Sequence, residues 1–506
     1  MELNEIIQQR RAKLEALKAK GVSLKGAIST SRTDIGESLA DFQEGKKVTF
    51  CGRVTAKRLH GKVEFLDLKD RTGKIQLYLK ADLIGSEQFE ILKEDIDIAD
   101  FLSVKGELFK TRSGELSVKV DEFVLLSKAL RPLPEKWHGL KDIELRYRQR
   151  YLDLIANEEV KKVFLARSKI IQAIRRFLED RGFLEVETPM MHSIAGGAAG
   201  RPFKTHHNEY DQELFLRIAP ELYLKRLIVA GLDRVYEINR SFRNEGVSTR
   251  HNPEFTMLEV YQAYANYEEM MQLTQDLVCS VAKEVLGSTK ITYQGKTVDL
   301  TPPWQKRSFY EMVKERFDIE PQDETSVMIE KLQRKGFAKD KNRLTRSQIN
   351  KIIEDILGQD MSPVRDKMSE TSDGHFRRPV SNGVSSNPTF VTDYFTNLCP
   401  LAQTRQDNPL LSERFELYVA GLEVANAYSE LNDPIEQRKR FQEEIKELEK
   451  DEKKDLDEDY LLALEHGMPP TGGLGIGIDR LVMLLTDQAS IRDVILFPLL
   501  RPGSNS

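Results

Sequence analysis

The amino-acid sequence predicts an α+β protein, with a small β-barrel followed by a larger antiparallel β-sheet that helices flank. Residues 47–127 contain five short runs in which apolar and polar side chains alternate, as in strands that bury one face. Residues 160–181 carry apolar side chains at helical spacing. Later strand-like runs, such as 234–240 and 255–264, are joined by turn residues, and units without βαβ alternation favour an antiparallel sheet.

Composition and charge limit the classes of protein to which the chain can belong. Apolar residues make up 40% of 506 positions, and no run of them is long enough to span a bilayer. The N-terminus lacks the basic start and apolar centre of a secretion signal. Cys51, Cys279 and Cys399 are odd in number and far apart, which indicates a reducing cytoplasm and no disulfide framework. With 76 basic and 81 acidic residues, any nucleic-acid contact must come from local patches.

Changes in composition divide the chain into four segments. An N-terminal helix and connector occupy residues 1–45, the barrel 46–130, a linker 131–158, and the sheet domain 159–502. The N-terminal helix, predicted over Met1–Lys20, has a basic face. That face suits either a solvated surface or a contact with an RNA backbone.

The barrel segment has the pattern of an OB-type fold. Its five strands, with a helix at 87–97 before the fourth strand, match that fold. Such barrels bind single-stranded nucleic acid on the face of strands 2 and 3, where bases stack on aromatic side chains. Phe65 and Tyr78 lie on these strands, and Gln76 is placed to contact a base edge. Core packing is the alternative for the apolar residues of this segment.

The stretch from 234 to 264 predicts a hairpin with a long polar loop. It places five side chains to line one site: Arg243, Glu245, His251, Phe255 and Glu259. The planar guanidinium of Arg243 suits a phosphate or a carboxylate, and the ring of Phe255 suits stacking on a base. From composition alone, an exposed charged hairpin is the alternative.

Two later segments carry further candidates. Glu416 and Glu423, on strands around a Gly turn, offer oxygen ligands that suit Mg²⁺, or they form salt bridges, for instance with Arg414. The glycine-rich stretch 472–477 runs into a helix with Arg480 at the junction. It lacks the glycine spacing of a dinucleotide-binding fingerprint and the Gly-Lys-Ser/Thr of a P-loop.

Three motifs in this order resemble those of the class II aminoacyl-tRNA synthetases. The helix and strand that end at Pro189 are similar to motif 1, the hairpin from Phe242 to Phe255 to motif 2, and Gly475-Ile-Gly-Ile-Asp-Arg480 to motif 3. Together with Asn426-Ala-Tyr-Ser-Glu430, they most closely resemble the bacterial-type lysyl-tRNA synthetases. In that family an antiparallel sheet carries the catalytic site, motif 1 builds a homodimer interface, and the OB domain binds the anticodon.

The resemblance implies an ATP-dependent enzyme that joins L-lysine to tRNA(Lys) through a lysyl-adenylate, with Mg²⁺ as cofactor. It implies catalytic roles for Arg243 and Arg480. The implied ATP-binding residues are Arg243, Glu245, Arg250, His251, Asn252, Phe255 and Arg480. The implied lysine-binding residues are Gly197, Glu221, Arg243, Glu259, Tyr261, Asn426, Tyr428 and Glu430. The implied metal ligands are Glu416 and Glu423, and the implied anticodon contacts are Phe65, Gln76 and Glu115.

The charges of these residues also bear on specificity. Lysine has an ammonium at each end and one carboxylate, so its site needs carboxylates for both ammonium groups and a cation for the carboxylate. Glu221 suits the α-amino group, and Arg243 suits the carboxylate. Glu259 and Glu430 suit the ε-ammonium and would repel aspartate, which argues against the aspartyl and asparaginyl relatives.

The chain also departs from the family pattern. Gly200 stands where relatives often have Ala, and Phe395-Thr-Asn-Leu-Cys399 replaces a more usual Pro-Lys-Glu-Leu-Ser. Residues 360–387 are unlike the family and predict a long loop. Two alternatives remain open: a non-catalytic tRNA-binding paralogue, and a relative that lysylates protein, a group that lacks the OB domain.

Overall fold

A computed structural model describes residues 3–22, 32–134, 140–198, 200–337, 344, 346, 348–349, 352–353, 356–357, 386–447 and 456–501. The chain forms two compact units, the first made of Met1–Arg146 with Tyr151–Asn157 and the second of Tyr147–Arg150 with Glu158–Ser506. All but the last two residues of the loop predicted at 360–387 lie outside the described residues.

The first unit is a closed barrel with the strand order β1-β2-β3-β5-β4. It begins with helices α1 (Leu3–Ala19) and α2 (Ile35–Ala40). The strands are β1 (Lys47–His60), β2 (Val63–Lys69), β3 (Lys74–Lys80), β4 (Phe101–Lys110) and β5 (Leu116–Ser127), with helices α3 (Ala81–Ile84) and α4 (Ser86–Asp95) between β3 and β4. The five predicted strands and the helix before the fourth are therefore confirmed. Alternate residues of each strand fill the interior, as the pattern of buried side chains in β1 shows.

Helix α1 packs against this barrel unit through much of its basic face. Leu17 is fully buried, and Arg10 donates to the carbonyl oxygens of Ala129 and Arg131 at 3.0 and 3.2 Å. Lys13 forms an ion pair with Asp97 at 2.8 Å. These cations stabilise contacts within the unit, so the larger part of the predicted basic face has a structural role.

The second unit is built around a large sheet. Its helices, after α5 (Ile143–Arg148) and α6 (Arg150–Ala156), are α7 (Glu158–Glu179), α8 (Glu221–Val229), α9 (Tyr267–Leu286), α10 (Phe309–Phe317), α11 (Thr325–Arg334), α12 (Pro434–Glu447), α13 (Glu458–Glu465), α14 (Ile478–Leu485) and α15 (Ile491–Val494). Its strands are β6 (Leu184–Glu185), β7 (Met191–His192), β8 (Lys204–His207), β9 (Gln212–Leu216), β10 (Arg234–Phe242), β11 (Glu254–Ala263), β12 (Lys290–Tyr293), β13 (Lys296–Asp299), β14 (Gln305–Ser308), β15 (Thr389–Thr392), β16 (Arg414–Val419), β17 (Leu422–Ser429) and β18 (Thr471–Gly477).

The large sheet has eight strands in the order β14-β15-β16-β17-β18-β11-β10-β6. Its six central strands pair antiparallel, as predicted. The two edge strands differ, because β6 pairs with β10 in parallel and β14 pairs with β15 in parallel. A parallel pair needs a long crossover connection, and long connections do precede β10 and β15 in the chain. The sheet is therefore mixed, with an antiparallel centre.

The register of the central strands places polar residues in rows on one face. Glu416 pairs with Asn426, Asn426 with Gly475, and Gly475 with Glu259. Two residues along, Arg414 pairs with Tyr428, and Gly473 pairs with both Tyr428 and Tyr261; these rows share a face because side chains alternate along a strand. The opposite face is apolar and forms the core with α7, α9 and α14: Leu258, Val260, Ala425, Leu474 and Ile476 are all buried there.

Among the described residues, no helix is both long enough and apolar enough to cross a membrane. The longest helix, α7, has 22 residues but carries charged residues along its length.

Candidate active site

A cavity of about 920 Å³ lies over the polar face of the large sheet. Its floor includes Gly473 and Gly475 on the central strand β18, which have no side chains to fill the space. Charged residues from the flanking strands and from α8 form its walls: Glu221, Arg243, Glu259, Arg414, Glu416, Glu423 and Glu430. The cavity therefore gathers, in one place, most residues that the sequence predicts for lysine and metal binding.

Three carboxylates form an acidic end of the cavity. Glu221 begins α8 and is 5% exposed, Glu259 on β11 is 6% exposed, and Glu430 follows β17 and is 1% exposed. The hydroxyl of Tyr428 donates to Oε2 of Glu221 at 2.7 Å, and that of Tyr261 donates to Oε2 of Glu259 at 3.4 Å. The structure thus brings together the residues predicted to bind the two ammonium groups.

Burial and mutual repulsion change how these groups titrate. Burial, reinforced by the charges of Glu221 and Glu237, raises the pKa of Glu259 to about 8. Burial also raises the pKa of Glu430 well above its ordinary value, although the positive charge of Lys225 opposes the rise. A cationic ligand would lower both pKa values again, because an opposite charge favours the ionised carboxylate.

Gly473 provides the room that the Glu430 carboxylate needs. A Cβ atom at position 473 would lie 1.8 Å from Oε1 of Glu430 and 2.8 Å from the ring of Tyr261. Any side chain there would displace the carboxylate. Gly197, with φ +86°, contacts the same region, since its Cβ would lie 3.3 Å from Cβ of Glu221.

Arg243 lies at the start of the loop that joins β10 to β11. Its guanidinium lies 5.2 Å from the centre of the Phe255 ring, and its Nε is buried without a hydrogen-bond partner. Burial lowers the pKa of Arg243, while the charges of Glu245 and Glu423 act to raise it. A half-buried cation with a free donor is suited to receive an anionic ligand.

Arg480, in the first turn of α14, connects two other predicted residues. Its Nη1 donates to the backbone oxygen of Glu423 at 2.8 Å and to Oε2 of Glu423 at 3.1 Å. Its Nη2 lies 3.4 Å from Nε2 of His251. Desolvation and the charge of Arg480 lower the pKa of His251. The imidazole is therefore favoured in its neutral form.

The long loop of the hairpin is held by its own polar side chains. Oγ of Ser248 lies 3.0 Å from Nδ1 of His251 and accepts from the backbone N–H of Arg250 at 3.1 Å. Nδ2 of Asn252 donates to the carbonyl of Glu254 at 2.6 Å. Asn252 is thus involved in shaping the loop, and Arg250 and His251 are positioned by Ser248.

Glu416 and Glu423 offer carboxylate oxygens to the same cavity. Oε2 of Glu416 accepts from the hydroxyls of Tyr394 and Tyr418 at 2.8 and 2.7 Å, and Oε1 accepts from Arg414 at 2.5 Å. Burial and repulsion by Glu423 raise the pKa of Glu416. Burial also acts to raise the pKa of Glu423, but the charge and hydrogen bond of Arg480, together with the charges of Arg414 and Arg243, lower it overall.

The carboxylate oxygens of Glu416 and Glu423 fit a hard divalent cation that takes its remaining ligands from water and substrate. Within the described residues, no group of three His, Cys, Asp or Glu side chains is placed to hold a metal. Mg²⁺ commonly binds one or two carboxylates and completes its shell with water and substrate phosphates. Of the two alternatives for Glu416, the salt bridge with Arg414 is present, and the role as a metal ligand stays a prediction that its position at the cavity allows.

Sequence reasoning missed Lys225 and Ser248 at this site, and it named Arg414 only as a salt-bridge partner and not as a contact of Asn426. Lys225 reaches the acidic end from one turn along α8, Arg414 links Glu416 to Asn426, and Ser248 orients His251. A signal for Lys225 was available, because Glu221 and Lys225 have the i,i+4 spacing of a helical ion pair. The contact from Arg414 to Asn426 depends on strand register, which the sequence alone does not give.

The barrel carries its own row of half-buried aromatic groups. Phe65 pairs with Tyr78 across β2 and β3, with ring centroids 5.6 Å apart, and Tyr78 is 5.7 Å from Phe109. Gln76 is buried beneath them and accepts from Arg58 at 3.1 Å. Glu115 is exposed at the start of β5. Arg58, which sequence reasoning did not select, is thus an additional polar group at this surface.

Comparisons with known proteins agree with this geometry. Residues 142–501 match the family described as class II tRNA synthetases (D, K and N), and residues 48–126 match the OB-fold nucleic acid binding domain. The fold and site therefore define a class II tRNA synthetase with an N-terminal OB-fold domain.

Relatives that align along nearly the whole chain identify one family within this class of enzymes. The lysine--tRNA ligase of Thermoanaerobacter sp. is 51% identical over 100% of this chain and 97% of its own length. That of Carboxydothermus hydrogenoformans is 50% identical over 99% of both chains, and that of Clostridium perfringens is 48% identical over 99% of this chain. The chain belongs to the lysine--tRNA ligase family.

Proposed function

We propose that the protein attaches L-lysine to the 3′ end of tRNA(Lys) in an ATP-dependent reaction, through a lysyl-adenylate, with release of AMP and pyrophosphate. One observation carries this assignment: three buried carboxylates and a half-buried arginine, whose Nε is a free donor, face a single cavity. That arrangement matches the two ammonium groups and the carboxylate of lysine. The OB-fold match argues against the protein-lysylating alternative.

Lysine binds with its ammonium groups at the acidic residues and its carboxylate at Arg243. Glu221, beside Gly197, accepts from the α-ammonium, while Arg243 and Asn426 bind the carboxylate. The ε-ammonium lies against the carboxylates of Glu259 and Glu430 and near the hydroxyls of Tyr261 and Tyr428. Aspartate, which has a carboxylate at that position, would be repelled by buried carboxylates and excluded.

ATP binds over the motif 2 hairpin. Phe255 and Arg480 hold the adenine between them, a stacking and cation–π arrangement, and Glu245 contacts the base edge. Arg250, His251 and the loop shaped by Asn252 meet the outer phosphates. Arg243 stabilises the charge that develops on the α-phosphate. Arg480 assists through its contacts with Glu423 and His251.

Glu416 and Glu423 hold Mg²⁺ against the phosphates of ATP. When bound, the ion supplies charge neutralisation and orients the phosphate oxygens. The attacking group, the lysine carboxylate, is already ionised, so no general base or protein nucleophile is needed. The protein's residues act by positioning the two substrates for in-line attack on the α-phosphate. Pyrophosphate leaves, and the terminal ribose hydroxyl of tRNA then takes the lysyl group.

The OB domain and the motif 1 region are the surfaces that we assign to tRNA and to a second copy of the chain. Phe65 stacks on an anticodon base while Gln76 and Glu115 contact base edges. A homodimer forms through the motif 1 region, where Leu184 and Met191 expose 51% and 54% of their surface. We further propose a cytoplasmic location and the boundaries 1–45, 46–130, 131–158 and 159–502 for the helix and connector, the OB domain, the linker and the catalytic domain.

ATP–pyrophosphate exchange, with one amino acid at a time and Mg²⁺ present, tests the reaction and its specificity. We expect exchange with lysine alone. Arg243→Ala should abolish it, because the α-phosphate loses its cation. Near-normal exchange in Arg243→Ala would contradict the assigned site, and exchange with aspartate or asparagine would overturn the lysine pocket.

A further inference from the structure

Lys225 does not line the cavity itself, and its side chain is fully buried, but it contacts two carboxylates of the acidic end. Its Nζ donates to Oε1 of Glu221 at 2.6 Å, one helical turn earlier on α8. The same Nζ forms an ion pair with Oε2 of Glu430, which follows β17. It also lies 5.6 Å from the ring of Tyr428. One ammonium group of the protein therefore bridges the two carboxylates assigned to the opposite ends of the substrate lysine.

We propose that Lys225 is a positioning residue that fixes the separation of Glu221 and Glu430 and supplies one of the positive charges that they need. The proposal rests on the lysine pocket described above and extends it. Without Lys225, three buried carboxylates would repel one another with one cation fewer beside them; Arg217 and Arg243 would still act on Glu259. Because this stronger repulsion would favour protonation, the pocket would have to lose one more proton than in wild type each time lysine binds.

The groups around Lys225 come from several elements. They are Glu221 on α8, Tyr428 and Glu430 at the end of β17, and Tyr460 on α13. Tyr261 and Glu259 on β11 face the same carboxylates. Burial acts to lower the pKa of Lys225, and the charges of Glu221 and Glu430 outweigh it, so the ammonium form is retained. Arg226, the next residue, pairs with Asp457 at 2.9 Å instead. Lys225 is thus the cation that serves this pocket from α8.

Lys225→Met keeps the length of the side chain and removes its charge, and Lys225→Arg keeps the charge. We expect Lys225→Met to raise KM for lysine in ATP–pyrophosphate exchange by about 10–100-fold at pH 7, with a smaller change in kcat. The plot of log KM against pH between 7 and 9 should become steeper by about one, because one more proton must leave. Lys225→Arg should restore the wild-type slope. ATP binding, followed by calorimetry, should be unchanged in both variants and reports that they fold.

The outcomes separate this proposal from the pocket itself. An unchanged KM, or a raised KM with the wild-type pH slope, would show that Lys225 only fills space and would overturn the proposal. If Lys225→Met does not fold, Lys225→Arg decides the question. A slope of log KM against pH that differs between Lys225→Arg and wild type would contradict the charge role. Glu430→Gln tests the pocket independently: a normal KM for lysine in that variant would overturn the pocket assignment rather than the role of Lys225.

Discussion

The guanidinium of Arg414 donates to Oε1 of Glu416 at 2.5 Å, where the candidate metal ligands meet the amino-acid pocket. Nε of the same group donates to Oδ1 of Asn426 at 3.2 Å. One arginine therefore holds a residue assigned to Mg²⁺ and a residue assigned to the lysine carboxylate. Since a planar fork can make both contacts at once, we expect this residue to couple the positions of the two proposed substrates.

Arg414→Lys should reduce adenylate formation strongly. A lysine ammonium cannot make both contacts in the same geometry, and loss of one partner of a buried ion pair costs about 3–5 kcal/mol. We expect kcat for lysine-dependent exchange to fall by at least about a hundredfold, measured at saturating ATP and lysine. Arg438→Lys, in a pair with Glu458 at the surface, is the matched control and should be near wild type. Wild-type exchange in Arg414→Lys would contradict the coupling.

Glu259 predicts a specific dependence of stability on pH. The folded protein keeps this proton up to about pH 8, whereas the ordinary glutamate pKa is 4.5. The folded state therefore binds more protons than the unfolded state between these values, so stability falls as the pH rises through that window. Glu259→Gln should remove this loss, so its stability relative to wild type should rise by ~3 kcal/mol between pH 5.5 and pH 8.5.

Thermal unfolding of both proteins at the two pH values measures this effect. The difference in Tm between Glu259→Gln and wild type should widen towards alkaline pH. A difference that stays constant would mean that Glu259 is already ionised at pH 5.5. The variant should also bind lysine more weakly, because the amide cannot pair with the ε-ammonium.

Much of the fold was predictable from the sequence, because local patterns decide it. The motif 2 hairpin is confirmed, since Gly246, Ser248 and Pro253 stop two strand patterns that are each long enough to recognise. The strand predicted before Pro189 is present as the edge strand β6, but it has only two residues and no period that would indicate its partner. Its parallel pairing with β10 depends on tertiary packing, which overrides local propensity.

The site residues, unlike the strands and helices, were not predictable from the spacing of apolar and polar residues. Glu221 and Glu430 entered through the resemblance of their motifs, not through periodicity. Lys225 was missed because it lies within the apolar stretch Leu222–Val229, where a helix facing the core is the obvious interpretation. Its burial as an ion pair becomes visible only when Glu430, about two hundred residues further on, is brought opposite by the sheet.

Gly473→Ala should disable the lysine pocket through a single methyl group. The new Cβ would lie 1.8 Å from Oε1 of Glu430, a separation that requires the carboxylate to move. We expect kcat/KM for lysine to fall by about a hundredfold or more, because small misplacement of a binding group has that effect. ATP binding alone should be preserved.

Gly475→Ala is the matched control for that change. It lies two residues along the same face of β18, and its Cβ would meet the flexible end of Met257 at 3.3 Å. Lysine KM in this variant should stay within about threefold of wild type, since a methionine side chain can shift. Equal losses in the two variants would indicate that β18 tolerates no side chain, and would remove the specific role assigned to Gly473.

Phe65→Ala should separate tRNA charging from amino-acid activation. Phe65 stands on the outer face of the barrel beside Tyr78, and loss of one stacked base costs about 1–3 kcal/mol. We therefore expect kcat/KM for tRNA aminoacylation to fall by about 5–150-fold, while ATP–pyrophosphate exchange is unchanged. Leu59→Ala, which alters an apolar side chain of the same barrel that is 50% exposed, should leave both activities intact. If exchange falls together with charging in Phe65→Ala, the ring stabilises the barrel instead of binding an anticodon base, and the aromatic row of Phe65, Tyr78 and Phe109 loses its assignment as the anticodon surface.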